Sequence, residues 1–570
     1  MSKLQQRLDA LPPAVLRGIL RGIEKEGLRV RPDGTLAATP HPAGLGSALT
    51  HPNITTDFSE SQLELITGAH SSVEALLQEL TELHQFVYRH IGDELIWAAS
   101  MPCKLPAEDE IPLGQYGRSN MGRLKTVYRR GLSHRYGRRM QTISGIHYNF
   151  SLPAEAWPRL REVAGSRVPV ERFQDAGYFA LIRNFRRHSW LLLLLLGASP
   201  AVCSSFVAGH SHGLCGWDTG TCFAPYGTSL RMGRLGYQSD AQAALAVSFN
   251  CLGDYAQTLH RALNETYPAY ESIGLRDGEL YKQLATTLLQ IENEFYGTIR
   301  PKQRIHPGER PLRALGLRGV EYVEVRLVDI DPFEPAGIGL SQMRLLDIFL
   351  LHCLLSDSPP DSPQEIAAMT RNQRRIAERG RDPGLRLHRT AELLAAAGPS
   401  PAAGALPTAE LLSADLALTD LTPADLAPAE WGARLLRECE PIAAALDRAQ
   451  GDGAAAYRDA LAAARAALRD FDTLPSTRVL LEADLSHGKS FPTFALARSQ
   501  ASKRALLAQP LSAEALRRYE QAAIDSHQAQ RSREAADDVP FETFRQRYLS
   551  QDLMVGEHFR PLDQAVARRR

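Results

Sequence analysis

The segment Arg21-Gly22-Ile23-Glu24-Lys25-Glu26-Gly27-Leu28-Arg29 places two carboxylates two residues apart in a stretch that reads as a β-strand. Side chains two apart on a strand leave the same face about 7 Å from one another. Glu24 and Glu26 therefore point together into whatever that face encloses. A strand of alternating charge usually marks a solvated face, so this stretch alone does not establish a metal site.

The pattern recurs, and that is what gives it weight. Residues 55–67 read as a second half-buried strand in which Gln62, Glu64 and Ile66 alternate with Leu63 and Leu65, with Asp57 upstream. Residues 140–151 read as a third, with Gly145, His147, Asn149 and Ser151 on one face and Ile146, Tyr148 and Phe150 on the other. Residues 320–327 are β-branched and alternating, with Tyr322, Glu324 and Arg326 sharing a face on which acid and base could simply pair. One sheet face carrying that many carboxylates would be unstable from repulsion and desolvation unless divalent cations filled it. Oxygen ligands of this hardness suit Mg²⁺ or Mn²⁺, commonly shared with phosphate, so ATP is the expected co-ligand.

Bulk properties exclude other classes. With 65 basic and 65 acidic residues in 570, net charge favours neither nucleic acid nor a membrane surface as partner, and small molecules are expected. Seven cysteines without a CxxC pair fit a reducing compartment. The N-terminal stretch has no secretory pattern, which points to the cytoplasm, and the apolar run Trp190–Leu196 is far shorter than the roughly 20 residues a membrane span needs.

Helices are expected over 1–20, 72–97, 176–196 and 240–265, and a helix or long strand over 278–294. The basic stretch 121–130 reads as a solvated helix face. His210, His212, Cys215 and Cys222 could hold zinc, but their spacing fits no common template, and a Gly-rich loop is preferred. From Ser356 the chain turns Ala-, Leu- and Arg-rich, giving a catalytic core of 1–355 and a helical region of 356–570 packed on it. Ser486-His487-Gly488-Lys489-Ser490 imitates a P-loop, but Ala483 stands where that loop needs glycine.

Several of these stretches together resemble the proteobacterial-type glutamate–cysteine ligases: 22–29, 49–51 with 54–58, 141–150, 197–200, 291–294 and 321–326. The resemblance covers roughly residues 15–355. It implies an α+β fold of glutamine-synthetase-like type, a curled antiparallel sheet forming a funnel surrounded by helices, with a helical C-terminal third. It implies ATP-dependent joining of the L-glutamate γ-carboxyl to the L-cysteine amine, the first step of glutathione synthesis. A monomer is one expectation, though the sequence itself does not show oligomeric state. Carried onto matching positions, the resemblance implies Glu24, Glu26, Asp57, Glu64, His147 and Glu324 as metal ligands. Arg326 and Asn149 would orient glutamate or the transferred group, and Glu324 and Arg326 would be catalytic. Tyr128, Tyr237 and Tyr296 would surround the cysteine side chain, with Phe58 nearby and Arg231 on the carboxylate. Lys302 and Lys489 are expected phosphate contacts, and the adenine pocket is unassigned. Two other functions stay open: a γ-glutamyl ligase using a different amine, and a metal- or redox-responsive binding protein built on the His210 to Cys222 loop.

Overall fold

The computed structural model describes residues 2–217, 219–236, 240–243, 245, 247–388 and 425–561. Its strands, in chain order, are β1 Leu20–Val30, β2 Ile54–Thr56, β3 Gln62–Ile66, β4 Leu95–Ile96, β5 Ile146–Ser151, β6 Ala201–Cys203, β7 Cys215–Trp217, β8 Thr221–Phe223, β9 Arg276–Asp277, β10 Leu280–Tyr281, β11 Ile299–Lys302 and β12 Tyr322–Val328. The principal sheet runs β11-β12-β5-β1-β3-β2, with β4 paired to one end of β1. Every pairing in it is antiparallel, and a register shift between Val325 and Val328 bends β12.

Alternation divides the sheet chemically. One face carries Ile23, Leu63, Leu65, Tyr148, Phe150, Val323 and Val325, all buried in the main core with residues from helices Val73–Tyr88, Val170–His188 and Leu340–Leu355. The other carries the acids. Because side-chain period is two, a one-residue slip would bury the acids in that core, so the hydrophobic face fixes the register that assembles them.

A buried polar knot anchors β1 through the apolar side. Asp347 receives Arg21 Nε at 2.9 Å, Tyr148 Oη at 2.9 Å and Tyr457 Oη at 3.0 Å, while Arg21 also donates to the carbonyls of Ile19 and Ser71. Arg21 is 1 % exposed and Asp347 fully buried, so each charge depends on the other's presence.

Some expectations are corrected. The first 20 residues form two helices, Lys3–Asp9 and Pro13–Arg17, because Pro12 and Pro13 end one and start the next. Residues 55–67 are a hairpin of β2 and β3, with Asp57 in its turn. The span 278–294 is neither helix nor long strand; it holds the short β10 and a 3₁₀ turn, Glu292–Glu294. The stretch around 121–130 lies in a helix, Asn120–Tyr136, that lines the main cavity. The described residues beyond 356 are helical, with Pro363, Pro428 and Pro475 in first turns where a missing N–H costs nothing. Residues 389–424 of this region lie outside the described residues. Among the described residues no helix is long and apolar enough to cross a membrane.

Candidate active site

The polar face of the sheet forms one wall of a cavity of about 520 Å³. Register assembles it. Glu24 sits opposite His147, Glu26 opposite Glu64, and Glu324 opposite Asn149 on one side and Arg300 on the other. Directly opposed side chains on an antiparallel sheet stand about 5 Å apart, so these pairs must interact.

His147 is the hub. Its Nδ1 lies 3.1 Å from Glu24 Oε2 and 3.7 Å from Glu324 Oε1, and its Nε2 lies 3.4 Å from Glu26 Oε1. Asn149 donates to Glu24 Oε1 at 3.0 Å, leaving its own amide oxygen buried without a hydrogen-bond partner. The backbone N–H of Gly145 donates to Glu26 Oε2 at 2.6 Å.

The electrostatics are polarised across the cavity. At the β1/β3 side, burial and then the charge of Asp57 raise Glu26 above the usual carboxylate range, and burial with Asp57, Glu24 and Glu26 raises Glu64 well above it. At the β12/β11 side, burial is outweighed by Lys302, Arg326 and His147, which hold Glu324 well below that range. Glu24 lies between: burial and Glu324 push it up, and His147 with Lys302 carry it to a net depression. Lys302 Nζ is 3.3 Å from Glu324 Oε1, and Arg326 is 3.3 Å from Glu324 Oε2, so the acid–base pairing foreseen on β12 does form.

This donor set fits hard divalent cations. Glu24, Glu64 and His147 each offer a ligand atom within 4.8 Å of the others. A cation joining them would offset the burial and mutual repulsion that raise Glu26 and Glu64. Among the described residues no comparable group forms around the His210 to Cys222 loop, where His210, His212 and Cys215 are exposed and Cys222 is buried on β8.

Opposite the sheet, helix Asn120–Tyr136 is capped by Ser119, whose hydroxyl accepts from the N–H of Gly122. It lays Met121, Leu124, Lys125, Tyr128, Arg129 and Leu132 along the cavity at helical spacing. Tyr296 faces the same space and its hydroxyl accepts from Gln141 Nε2 at 2.8 Å. Arg231 is buried, donates to the carbonyl of Arg326 at 2.6 Å and lies 3.6 Å from Asp329.

Of the residues expected from sequence, Glu24, Glu26, Asp57, Phe58, Glu64, Tyr128, His147, Arg231, Tyr296, Lys302, Glu324 and Arg326 all line this cavity. Asn149 reaches its edge through Glu24. Lys489 does not belong to it. It has a positive φ of 61° in the turn after helix Pro475–Ser486, is mostly exposed, and its nearest carboxylate is Asp484 at 3.9 Å. The motif's last residue, Ser490, caps helix Phe491–Leu507. Tyr237 lies outside the described residues.

Sequence reasoning missed Gln141, Asn293 and Arg300, and from the C-terminal region Arg533 and Tyr548, all on the cavity wall. Arg300 had a readable signal, since it sits two residues before Lys302 on a strand. Arg533 and Tyr548 had none, because an Ala- and Arg-rich helical sequence does not tell which of its faces meets the sheet.

Comparison with known proteins places this geometry. The family model described as glutamate-cysteine ligase matches residues 4–376. A glutamate–cysteine ligase of Alcanivorax borkumensis is 42% identical over 557 residues, covering 96% of this chain and 99% of the relative. One from Pseudomonas putida is 46% identical over 530 residues, covering 92% and 94%. The crystal structure of a glutamate–cysteine ligase from Francisella tularensis in complex with AMP superimposes with a TM-score of 0.82 at 33% identity, covering 93% of this chain and 97% of that one. A bifunctional glutathione synthetase from Pasteurella multocida shares the fold, with a TM-score of 0.66 at 24% identity over 92% of this chain and 58% of that one.

Proposed function

This chain belongs to the glutamate–cysteine ligase family, and we propose that the residues gathered on its sheet carry out that family's reaction in the following way. A γ-carboxylate oxygen of L-glutamate attacks the γ-phosphorus of ATP, the bond to the β,γ-bridging oxygen breaks, and ADP leaves. The amine of L-cysteine then attacks the acyl carbon of the γ-glutamyl phosphate. Phosphate departs with the bonding electrons, the nitrogen loses its surplus proton to water, and γ-glutamylcysteine remains. An unactivated carboxylate and an amine do not condense in water, so the protein's work is positioning and charge neutralisation, with no protein nucleophile needed.

Glu24, Glu26, Asp57, Glu64, His147 and Glu324 would hold Mg²⁺ or Mn²⁺, which when bound would offset the charge on phosphoryl oxygens. Arg326 is held beside Glu324 in the cavity, and its planar fork suits a carboxylate or phosphoryl oxygen, so it orients the glutamate or the group in transit. Lys302 supplies a second cation on the neighbouring strand. Tyr128 and Tyr296, with Phe58, form the acceptor pocket, and Arg231 takes the cysteine carboxylate.

The observation that carries this reading is the convergence of acids from β1, β3 and β12 on one imidazole, His147, beside the cationic pair Lys302 and Arg326. The AMP held by the Francisella tularensis relative supports a nucleotide co-substrate here. We further propose that 356–570 works as part of the same unit as 1–355, supported by Tyr457 on Asp347 and by Tyr548 on the cavity wall, and that the protein acts as a monomer in the cytoplasm. The test is ADP release with glutamate plus cysteine against glutamate plus other small amines. The reading requires cysteine to be strongly preferred, and equal rates with a different amine would refute the acceptor assignment.

A further inference from the structure

The family-like stretch 291–294 opens a turn running to residue 297, yet the reaction above gives work to only one side chain of that turn, Tyr296. The structure shows a turn pinned from every side. Glu292 pairs with Arg310 at 2.7 Å, and Glu294 pairs with Arg135 at 2.8 Å and accepts from Tyr136 Oη at 2.7 Å. Gln242 holds the backbone on the far side, donating to the carbonyl of Glu294 at 2.8 Å and accepting from the N–H of Tyr296 at 3.0 Å. None of these partners lies on the acidic sheet.

Arg300 joins the two. Its backbone belongs to β11, in register with Glu324. Its side chain is 8 % exposed, lines the cavity, and one terminal nitrogen donates to the carbonyl of Asn293 at 3.0 Å and to that of Phe295, the residue before Tyr296. Its Nε is buried with no hydrogen-bond partner. A guanidinium left incompletely satisfied in so dry a place costs stability that a smaller apolar residue would not. Fixing Tyr296 relative to the cluster gives a reason for that cost.

We propose that Arg300 is a positioning residue for the amine substrate: by clamping the 291–297 turn to the strand that carries Glu324, it sets where Tyr296 stands and hence how cysteine is held against the activated carboxyl. This rests on Tyr296 belonging to the acceptor pocket. Arg300 touches no reacting atom in this account and acts through Tyr296. The nitrogen that reaches both carbonyls is fixed at the end of a rigid, planar guanidinium, a position that the flexible stem of lysine does not hold.

The experiment is steady-state kinetics of Arg300→Lys in the full chain, varying each substrate with the others saturating. The expected result is a KM for cysteine raised about tenfold, because a displacement of a fraction of an ångström suffices, with KM for glutamate and ATP and the saturated kcat each within about threefold of the starting enzyme. Gln242→Ala loosens the same turn from the side away from the cluster and is expected to show the same cysteine-selective rise, so the test survives an Arg300 variant that does not fold. Combining Arg300→Lys with Tyr296→Phe should give less than the sum of the two single effects. An unchanged cysteine KM in Gln242→Ala, or equal increases for all three substrates in Arg300→Lys, would overturn the proposal. An unsubstituted chain that releases no ADP on adding cysteine would instead overturn the acceptor assignment beneath it.

Discussion

The two faces of the principal sheet are residue-for-residue neighbours in sequence and opposites in chemistry. Glu24 and Glu64 face a cavity, while Ile23, Leu63 and Leu65, one residue away from them, sit in the main core. The apolar face also carries a charge cluster, and that cluster closes on itself: Arg21, Asp347, Tyr148 and Tyr457 satisfy one another. On the cavity face the acids are held close by strand register, and burial with mutual repulsion raises Glu26 and Glu64 on the β1/β3 side above the usual carboxylate range. The difference teaches how to tell a structural charge cluster from a working one. The first closes on itself, and the second is completed only by something that binds.

That contrast can be broken by substitution on each side. The largest effect is expected for Glu324→Gln, which removes a charge from the working cluster: kcat should fall about a thousandfold while circular dichroism and melting temperature stay near those of the parent. Survival of turnover would show that the cluster does not do chemistry. Asp347→Asn attacks the closed network and should do the reverse, costing about 3 kcal/mol of stability in a denaturant titration by leaving Arg21 buried without its counter-charge. A loss of activity at unchanged stability would merge the two classes. The smallest effect is expected for Arg533→Ala at the exposed rim, with kinetic constants within about threefold, as for other solvent-screened surface charges. A larger loss would extend the working cluster into the C-terminal helices.

The same contrast explains what could be read from sequence. Strands β1, β3, β5 and β12 announced both their faces, because period-two alternation writes inward and outward residues side by side, and Glu24, Glu64, His147 and Glu324 followed from that pattern before any coordinates. The hairpin at Asp57 and the 3₁₀ turn at Glu292 were misread because their shape is set by long-range partners, Arg129 on the carbonyl of Asp57 and Arg135 on Glu294. The helix bearing Tyr128 looked like a solvated face because its cations turn toward a cavity that only the folded chain creates. For Arg533 and Tyr548 the sequence offered no cue, since their place depends on how distant helices dock. Lys489 shows the converse, where a local likeness to a phosphate loop fails for want of the preceding strand and glycine.

The account stands on the idea that the cavity face is an unfinished electrostatic structure completed by divalent metal. Mn²⁺ titrated into the protein by calorimetry, with the non-hydrolysed nucleotide present, tests it most directly, comparing the parent with Glu24→Gln/Glu64→Gln. The parent should bind the ion saturably and the double variant should lose that binding while keeping its fold. Equal binding by both, or none by the folded parent, would contradict it.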